Sequence, residues 1–491
     1  MKKLVSLLLP FVLFASESDM NKRIQLLEHE LSTLKQEVKQ NQSYVEEDEL
    51  ILSKVETKSI LDRLNFSPEL LLRFDKFDYT TGKIPGENTA IKDPANPMFG
   101  QQRRDEFSKH YDLASTIRLR LNMDMDLENI KFHGRLLYIN STQSNQRICI
   151  LSRDIKTGTA GSAFDVDRAY IDYALNKNSP YAFTFSFGLL PTSGGTPTQY
   201  GAGNKRTSMF PALVFDMNTF GVIGTQKLGD DTFARIILAK PYTLRANFYP
   251  YQCNRENVDN ADIAGIYTDT SLHFLGDALL SFGVNMLHDL KAHPYLGPNL
   301  ISHNAHKLGT LFTFGLGIDI ENVADTSTTL FVHTAFSNPH SNGNRDDYKI
   351  TATNPNNPNQ TLQDGLTSNG TVGFTEADYA SGEMLGSNGY SLYVGTKYDF
   401  NAQWHIGAEL NYGSQYWFSA TQGAEDMYNK LATRGTAYEV YGTWNYHKYL
   451  DTKLSYLNIH EDYTGSGWHF GTPVQKNATQ SIFSLSLEAK F

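Results

Sequence analysis

At 491 residues the chain can hold two or three ordinary domains or one large barrel. Its 43 Lys and Arg against 53 Asp and Glu give a formal net charge of −10, which argues against a nucleic-acid partner. Apolar residues make up 40% and aromatics 12%, with 37 Gly, 29 Phe and 27 Tyr, the ring-rich and turn-rich mixture of an all-β protein.

The chain opens with MKKLVSLLLPFVLFA, two lysines ahead of an apolar run that meets small residues at Ala15 and Ser16. Residues 1–15 are therefore expected to be a secretory signal, with cleavage near 15–18. No later stretch approaches the roughly eighteen apolar residues of a helical span, so a membrane location requires a closed barrel. Across 19–64 there is no Gly or Pro, and Ile24, Leu27, Leu31, Leu34 and Val38 follow a three-four spacing that Val45, Leu52 and Val55 continue less regularly. That seam predicts a periplasmic coiled coil through which the chain associates with itself, as a trimer. A helix packed on its own barrel is the alternative, and peptidoglycan is a candidate partner of the same segment.

From residue 66 to 491 the apolar period changes to two. Leu113, Ile117, Leu119, Leu121, Met123, Met125 and Leu127 alternate with Ala114, Thr116, Arg118, Arg120, Asn122, Asp124 and Asp126, so one face suits lipid and the other water. The pattern predicts strands over 66–79, 109–127, 129–141, 165–175, 181–190, 212–226, 232–241, 263–275, 278–288, 306–320, 328–337, 388–400, 403–416, 435–447, 450–463 and 480–491. Between them short and long connections alternate without exception, a parity that a soluble sandwich has no reason to show. It is the arrangement of an outer-membrane barrel with tight periplasmic turns, long external loops and both ends in the periplasm. The expected fold is an all-β transmembrane antiparallel barrel of about sixteen strands, fourteen to eighteen being compatible, preceded by the helical coiled coil. The last strand alternates Phe483, Leu485, Leu487 and Ala489 with Ser484, Ser486, Glu488 and Lys490 and ends on Phe491. A terminal aromatic of this kind resembles the signal read by the barrel-assembly machinery, here a second expected partner beside outer-membrane lipid.

Several segments, SPELLLRFDKFDYTTG, GQQRRDEFSKHYD, KFHGRLLYINSTQSNQRICILSRDI, AFDVDRAYIDY and MFPALVFDMNTFGVIGTQKL, resemble a family of outer-membrane porins of unknown substrate, itself a domain of unknown function. The resemblance covers roughly 60–491 and implies membrane location and a channel-like role. It brings no catalytic or ligand residues. The wider similarity is to trimeric porins.

Arg118, Arg120, Asp124, Asp126, Lys131, His133, Arg135, Arg168 and Asp172 occupy predicted lumen positions. A turn at Glu128-Asn129 sets Asp126 opposite Lys131, Asp124 opposite His133 and Asn122 opposite Arg135, leaving Arg118 and Arg120 less directly matched. Two readings stand: a basic wall that biases ion passage, and cross-strand ion pairs that stiffen the barrel. The third long connection, PTSGGTPTQYGAGNKRTSMFP, is expected either to fold inward as a constriction carrying Lys205 and Arg206 or to lie on the surface. Cys149 and Cys253 fall in external loops, as a disulfide or as two separate thiols. Trp404, Trp444, Tyr398, Tyr446 and Phe491 fall near strand ends and suit interface girdles. No nucleophile-elbow, zinc-protease, phosphate-loop or dinucleotide motif occurs, so no enzyme, metal or cofactor is expected. Asp346 and Asp347 lack the spacing of a calcium loop. The expectation is a passive outer-membrane diffusion channel for small hydrophilic solutes or ions. The alternatives are a substrate-specific channel and a tether or adhesin linking outer membrane and cell wall.

Overall fold

A computed structural model describes residues 21–40, 42, 63–82, 107–141, 163–241, 261–291, 307–342, 352–354, 357–362, 385–421, 426, 428–463, 473 and 475–491. The chain divides into two units, Met1–Leu64 and Asn65–Phe491. In the first, residues 21–40 form a helix. Its Ile24, Leu27, Leu31, Leu34 and Val38 are all exposed. The expected leader 1–15 and the seam residues Val45, Leu52 and Val55 lie outside the described residues.

The second unit is one closed antiparallel barrel of sixteen strands. In chain order these are β1 (Leu64–Thr81), β2 (Phe107–Leu127), β3 (Ile130–Ser141), β4 (Ala163–Leu175), β5 (Phe183–Leu190), β6 (Thr219–Leu228), β7 (Thr232–Pro241), β8 (Asp262–Leu272), β9 (Asp277–Lys291), β10 (Lys307–Glu321) and β11 (Thr328–Ser341). After a small separate hairpin, β12 (Ala352–Asn354) with β13 (Asn357–Leu362), the wall continues through β14 (Gly389–Asp399), β15 (Trp404–Gly413), β16 (Gly435–His447), β17 (Leu450–Tyr463) and β18 (Gln475–Lys490). Pairing of β1 with β18, from Glu69↔Lys490 to Thr81↔Ala478, closes the cylinder and leaves no open edge.

Connections at one end run two to seven residues, and those at the other eleven or more. The tight turns use left-handed backbone at Glu128 (φ 52°), Asn176 (φ 52°) and Gly229 (φ 80°), which lets a right-twisted strand pair reverse in few residues.

Strand alternation sorts the side chains as the pleat requires. On β11, Phe331, His333, Ala335 and Ser337 are buried while Leu330, Val332 and Phe336 are exposed. Ile236, Leu238, Ile266, Leu316, Val440 and Leu454 extend the exposed apolar belt around the wall. Aromatic rings border it. Near the short turns Trp404 stacks on Trp444 at 5.2 Å and Tyr449 on Phe491 at 5.7 Å. Toward the long connections Tyr390 meets Tyr412 at 6.0 Å and Tyr438 meets Tyr456 at 6.1 Å.

Most expected strands differ by a few residues at their ends, and four of these differences have a visible local cause or mark the last strand. The range 212–226 becomes β6 at Thr219–Leu228, because Ala212, Leu213, Val214 and Phe215 form a buried turn inside the barrel. In 263–275 the strand stops at Leu272 and a 3-10 turn, His273–Leu275, makes the reversal. In 403–416 it stops at Gly413, where the chain turns inward. The last strand begins at Gln475, five residues before the expected 480.

Candidate pore and the segments folded into it

Two long connections leave the wall and fill part of the interior. The first spans 191–218. Its two ends are stitched together by Thr192 Oγ1 donating to the Met217 carbonyl (2.5 Å) and by the Gly194 amide donating to Asp216 Oδ1 (2.7 Å). A short helix, Thr198–Ala202, forms the far tip. There the Tyr200 hydroxyl donates to Glu321 (3.0 Å) on β10, and Lys453 Nζ on β17 donates to the Gly201 carbonyl (2.6 Å). A segment rooted between β5 and β6 thus reaches β17 and crosses the lumen.

Apolar packing holds it there. Phe210 meets Phe215 at 5.6 Å and Tyr267 of β8 at 4.6 Å, both edge-on. Val214 rests on two glycines that face each other across β9 and β10, Gly283 and Gly315. A Cβ at Gly315 would lie 2.2 Å from Val214 Cγ2, so the wall is bare at that point to admit the side chain.

The second inserted segment is 414–434. Trp417 and Phe418 are fully buried, with Trp417 Nε1 donating to the Leu431 carbonyl (3.0 Å) and Arg434 Nε to the Trp417 carbonyl (2.7 Å). The two segments touch: the Asp216 amide donates to the Ala420 carbonyl (3.0 Å). The Tyr428 hydroxyl donates to Asp75 (3.0 Å) on β1, which lies beyond β17 and β18 from the root of this segment.

The strongest electrostatic feature lies beneath this segment. Glu409 and Glu439 are directly paired across β15 and β16, an arrangement that like charges disfavour. Lys430, from the inserted segment, donates to both at 2.5 Å, and Lys453 adds a bond to Glu439 at 2.8 Å. All but Lys453 are at least nine-tenths buried. Breaking one member of such a network leaves an uncompensated charge, at a cost of about 3–5 kcal/mol.

Two spaces remain. A gap of about 60 Å³ lies between the inserted segments and the β16–β17–β1 wall, lined by Arg73, Asp216, Asp426, Lys430, Glu439 and Lys453. A cavity of about 580 Å³ lies under the 199–206 stretch, bounded on the strands by residues near the short turns, among them Glu321, Lys397, His405 and Asn445.

The sequence from 108 to 486 matches the profile of a family described as Protein of unknown function (DUF3373). The chain belongs to that family. No curated protein matches this DUF3373 chain at a significant level. Among solved structures it is similar to the outer membrane channel DcaP of Acinetobacter baumannii, with 13% identity, 87% of this chain and 97% of that one covered, and a TM-score of 0.40. It is also similar to OprB of Pseudomonas putida (10%, 88% and 96%, 0.43) and OmpT of Vibrio cholerae (10%, 87% and 99%, 0.41). Likenesses this distant carry no function across.

In the DUF3373 barrel each expected lumen residue has a definite place. Asp126 pairs with Lys131 (2.8 Å) and Asp124 with His133 (2.6 Å), in the register expected from the Glu128 turn. His133 also reaches Asp172 at 3.5 Å and stacks on Tyr170 at 4.6 Å. Arg118 and Arg120, expected to be less directly matched, both have partners: Arg118 reaches across the barrel closure to Glu488 on β18 (3.1 Å), and Arg120 meets Glu69 on the neighbouring β1 (3.8 Å). Local pairing of β2 with β3 hides those partners, which come from the two ends of the barrel sequence. Arg135 donates two hydrogen bonds to the Asp167 carboxylate, from Nε (2.7 Å) and Nη2 (2.6 Å). Asp167 was missed because strict alternation aims it outward; a bulge opposite Arg135 and Leu136 turns it in. Arg168 donates to the Ser193 carbonyl (3.2 Å) and so anchors the first inserted segment. Lys205 is exposed, and Arg206 pairs with Asp269 at 3.2 Å. Cys149, Cys253, Asp346 and Asp347 lie outside the described residues.

The sequence reading also passed over Asp75, Glu409, Lys430, Glu439 and Lys453, and with them the whole of 414–434. The visible signal was Trp417-Phe418 directly after a strand, two large apolar rings in a stretch read as external loop.

Gly315→Ala should displace Val214 and cost about 1–3 kcal/mol in urea unfolding of the refolded barrel, and adding Val214→Ala should recover most of it. Lys430→Met should cost about 3–5 kcal/mol and open 414–434 to protease, whereas the triple change Lys430→Met, Glu409→Gln, Glu439→Gln should restore protection.

Proposed function

We propose that the protein is an outer-membrane porin, a passive channel for small hydrophilic solutes or ions, with its lumen narrowed by the segments 191–218 and 414–434. The observation that carries this reading is the inside-out sorting of one closed wall: an exposed apolar belt outside, charged residues inside and rings at both margins. From Trp404 to Tyr412 is eight residues. That is about 27 Å of strand, or about 20 Å along the axis at a tilt of about 40°, which suits the roughly 25 Å apolar band of an outer-membrane barrel. A soluble protein would face water with that belt, an arrangement that exposed apolar area of this extent opposes.

In this reading the chain has a periplasmic helical segment within 19–64 and the barrel over 66–491. The exposed seam of the 21–40 helix supports self-association through that segment, as a trimer, and the short turns face the periplasm. Ion pairs inside the wall, among them Arg118–Glu488 and Arg135–Asp167, support the stiffening role over an unscreened basic face. Most wall arginines have a carboxylate beside them.

Refolded protein in planar bilayers should give discrete conducting steps, and complete absence of channels would overturn the porin reading. Deletion of 194–204 should raise single-channel conductance, since that stretch includes the tip that crosses the lumen. Ile236→Arg, in the middle of the exposed face of β7, should destabilise the barrel by about 2–4 kcal/mol when unfolded from lipid vesicles. A change near zero would show that this face does not meet hydrocarbon.

A further inference from the structure

The helix of residues 21–40 is exposed on every side, its apolar seam included. In heptad terms Ile24, Leu31 and Val38 stand at a, and Leu27 and Leu34 at d. The charges beside that seam follow a pattern of their own. Positions g hold Arg23 and Glu30, and the e positions that follow hold Glu28 and Lys35. Within 21–40 none of these four has an opposite charge three or four residues away, the separation at which two side chains of one helix meet. The matching charges stand five residues apart instead, Arg23 with Glu28 and Glu30 with Lys35. That is the g-to-e offset, which brings side chains together between two helices and not along one.

We propose that the 21–40 helices of neighbouring copies of this chain form a parallel, in-register coiled coil, in which Arg23 of one copy meets Glu28 of the next and Glu30 meets Lys35. Every charged flank of that assembly is attractive. A slip of one heptad sets Arg23 against Lys35 or Glu30 against Glu28, like charges in both cases. An antiparallel pair centred on the seam sets Glu28 against Glu28 and Glu30 against Glu30, and shifted by a heptad it sets Glu30 against Glu37. The a layer mixes Ile24, Leu31 and Val38, so side-chain branching selects no number of strands, and the flanking charges select orientation and register. Val45, Leu52 and Val55 continue the seam in sequence at a, a and d, which lengthens a contact that five seam residues alone leave marginal. The coil deepens the self-association in the porin reading and rests on it for the copies being neighbours in one membrane.

With Cys149→Ser and Cys253→Ser as background, a single introduced cysteine reads the register in the full chain folded in detergent, a measurement that needs no channel activity. Leu34→Cys, at d, should link copies through a disulfide under mild oxidation at least fivefold faster than Gln36→Cys, at f on the far side of the helix. Adding Glu30→Lys or Lys35→Glu puts like charges on each flank and should slow the Leu34→Cys reaction at least threefold. Adding both exchanges the charges and should return the rate to within twofold. An antiparallel coil predicts otherwise, since Glu30→Lys there keeps or relieves a like-charge contact. A Leu34→Cys rate that Glu30→Lys leaves unchanged or raises overturns the coil. So do equal rates at 34 and 36, the result expected if the seam lies against the chain's own barrel. Bilayer recordings of the same preparation separate this outcome from failure of the channel reading: conducting steps without the preference for position 34 remove only the coil, and the preference without conducting steps upholds the coil and removes the channel.

Discussion

The interior of this barrel is organised around two carboxylates that could not stand together unaided. Glu409 and Glu439 face each other on neighbouring strands, and Lys430 sits between them at 2.5 Å from each. Inside a wall of low polarity, two like charges at pairing distance raise the energy of both strands, so the lysine is a condition of the sheet as well as a contact of the loop. Because Lys430 belongs to 414–434, the electrostatics of the wall and the inward fold of that segment are one constraint. Lys453 extends it to the first segment by bonding both Glu439 and the Gly201 carbonyl.

An apolar cluster adjoins that network. Phe210, Val214, Phe215, Trp417 and Phe418 pack against Tyr267, Phe331 and Tyr393 in a continuous cluster. Apolar packing gives the inserted segments cohesion, and ion pairs give them position. Charge sits where the segments meet the strands, Arg168 at one root and Lys430 at the other, and the remaining polar space is pushed toward β16–β17–β1 and to the short-turn side. The lumen that remains is therefore defined by the inserted segments as much as by the strand number.

Much of the wall was legible from periodicity. An alternation of period two, repeated between connections of alternating length, points to about sixteen strands, to the turn ends and to the inward or outward face of most wall residues, because pleat and closure constrain all three. Positions such as Asp126 opposite Lys131 followed from one tight turn. Errors came where backbone departs from the repeat: the bulge that turns Asp167 inward, and the apolar run at 212–215, which has strand composition but folds as a turn.

The sequence by itself determined a wall of about sixteen strands with an apolar outside and a polar inside, and an N-terminal helix with one apolar seam, since both are local repeats read over neighbouring residues. Only the tertiary structure decided what closes and fills the wall. Arg118 finds Glu488 and Tyr428 finds Asp75 across hundreds of residues, because barrel closure and inward folding bring distant segments together and no local period records those distances.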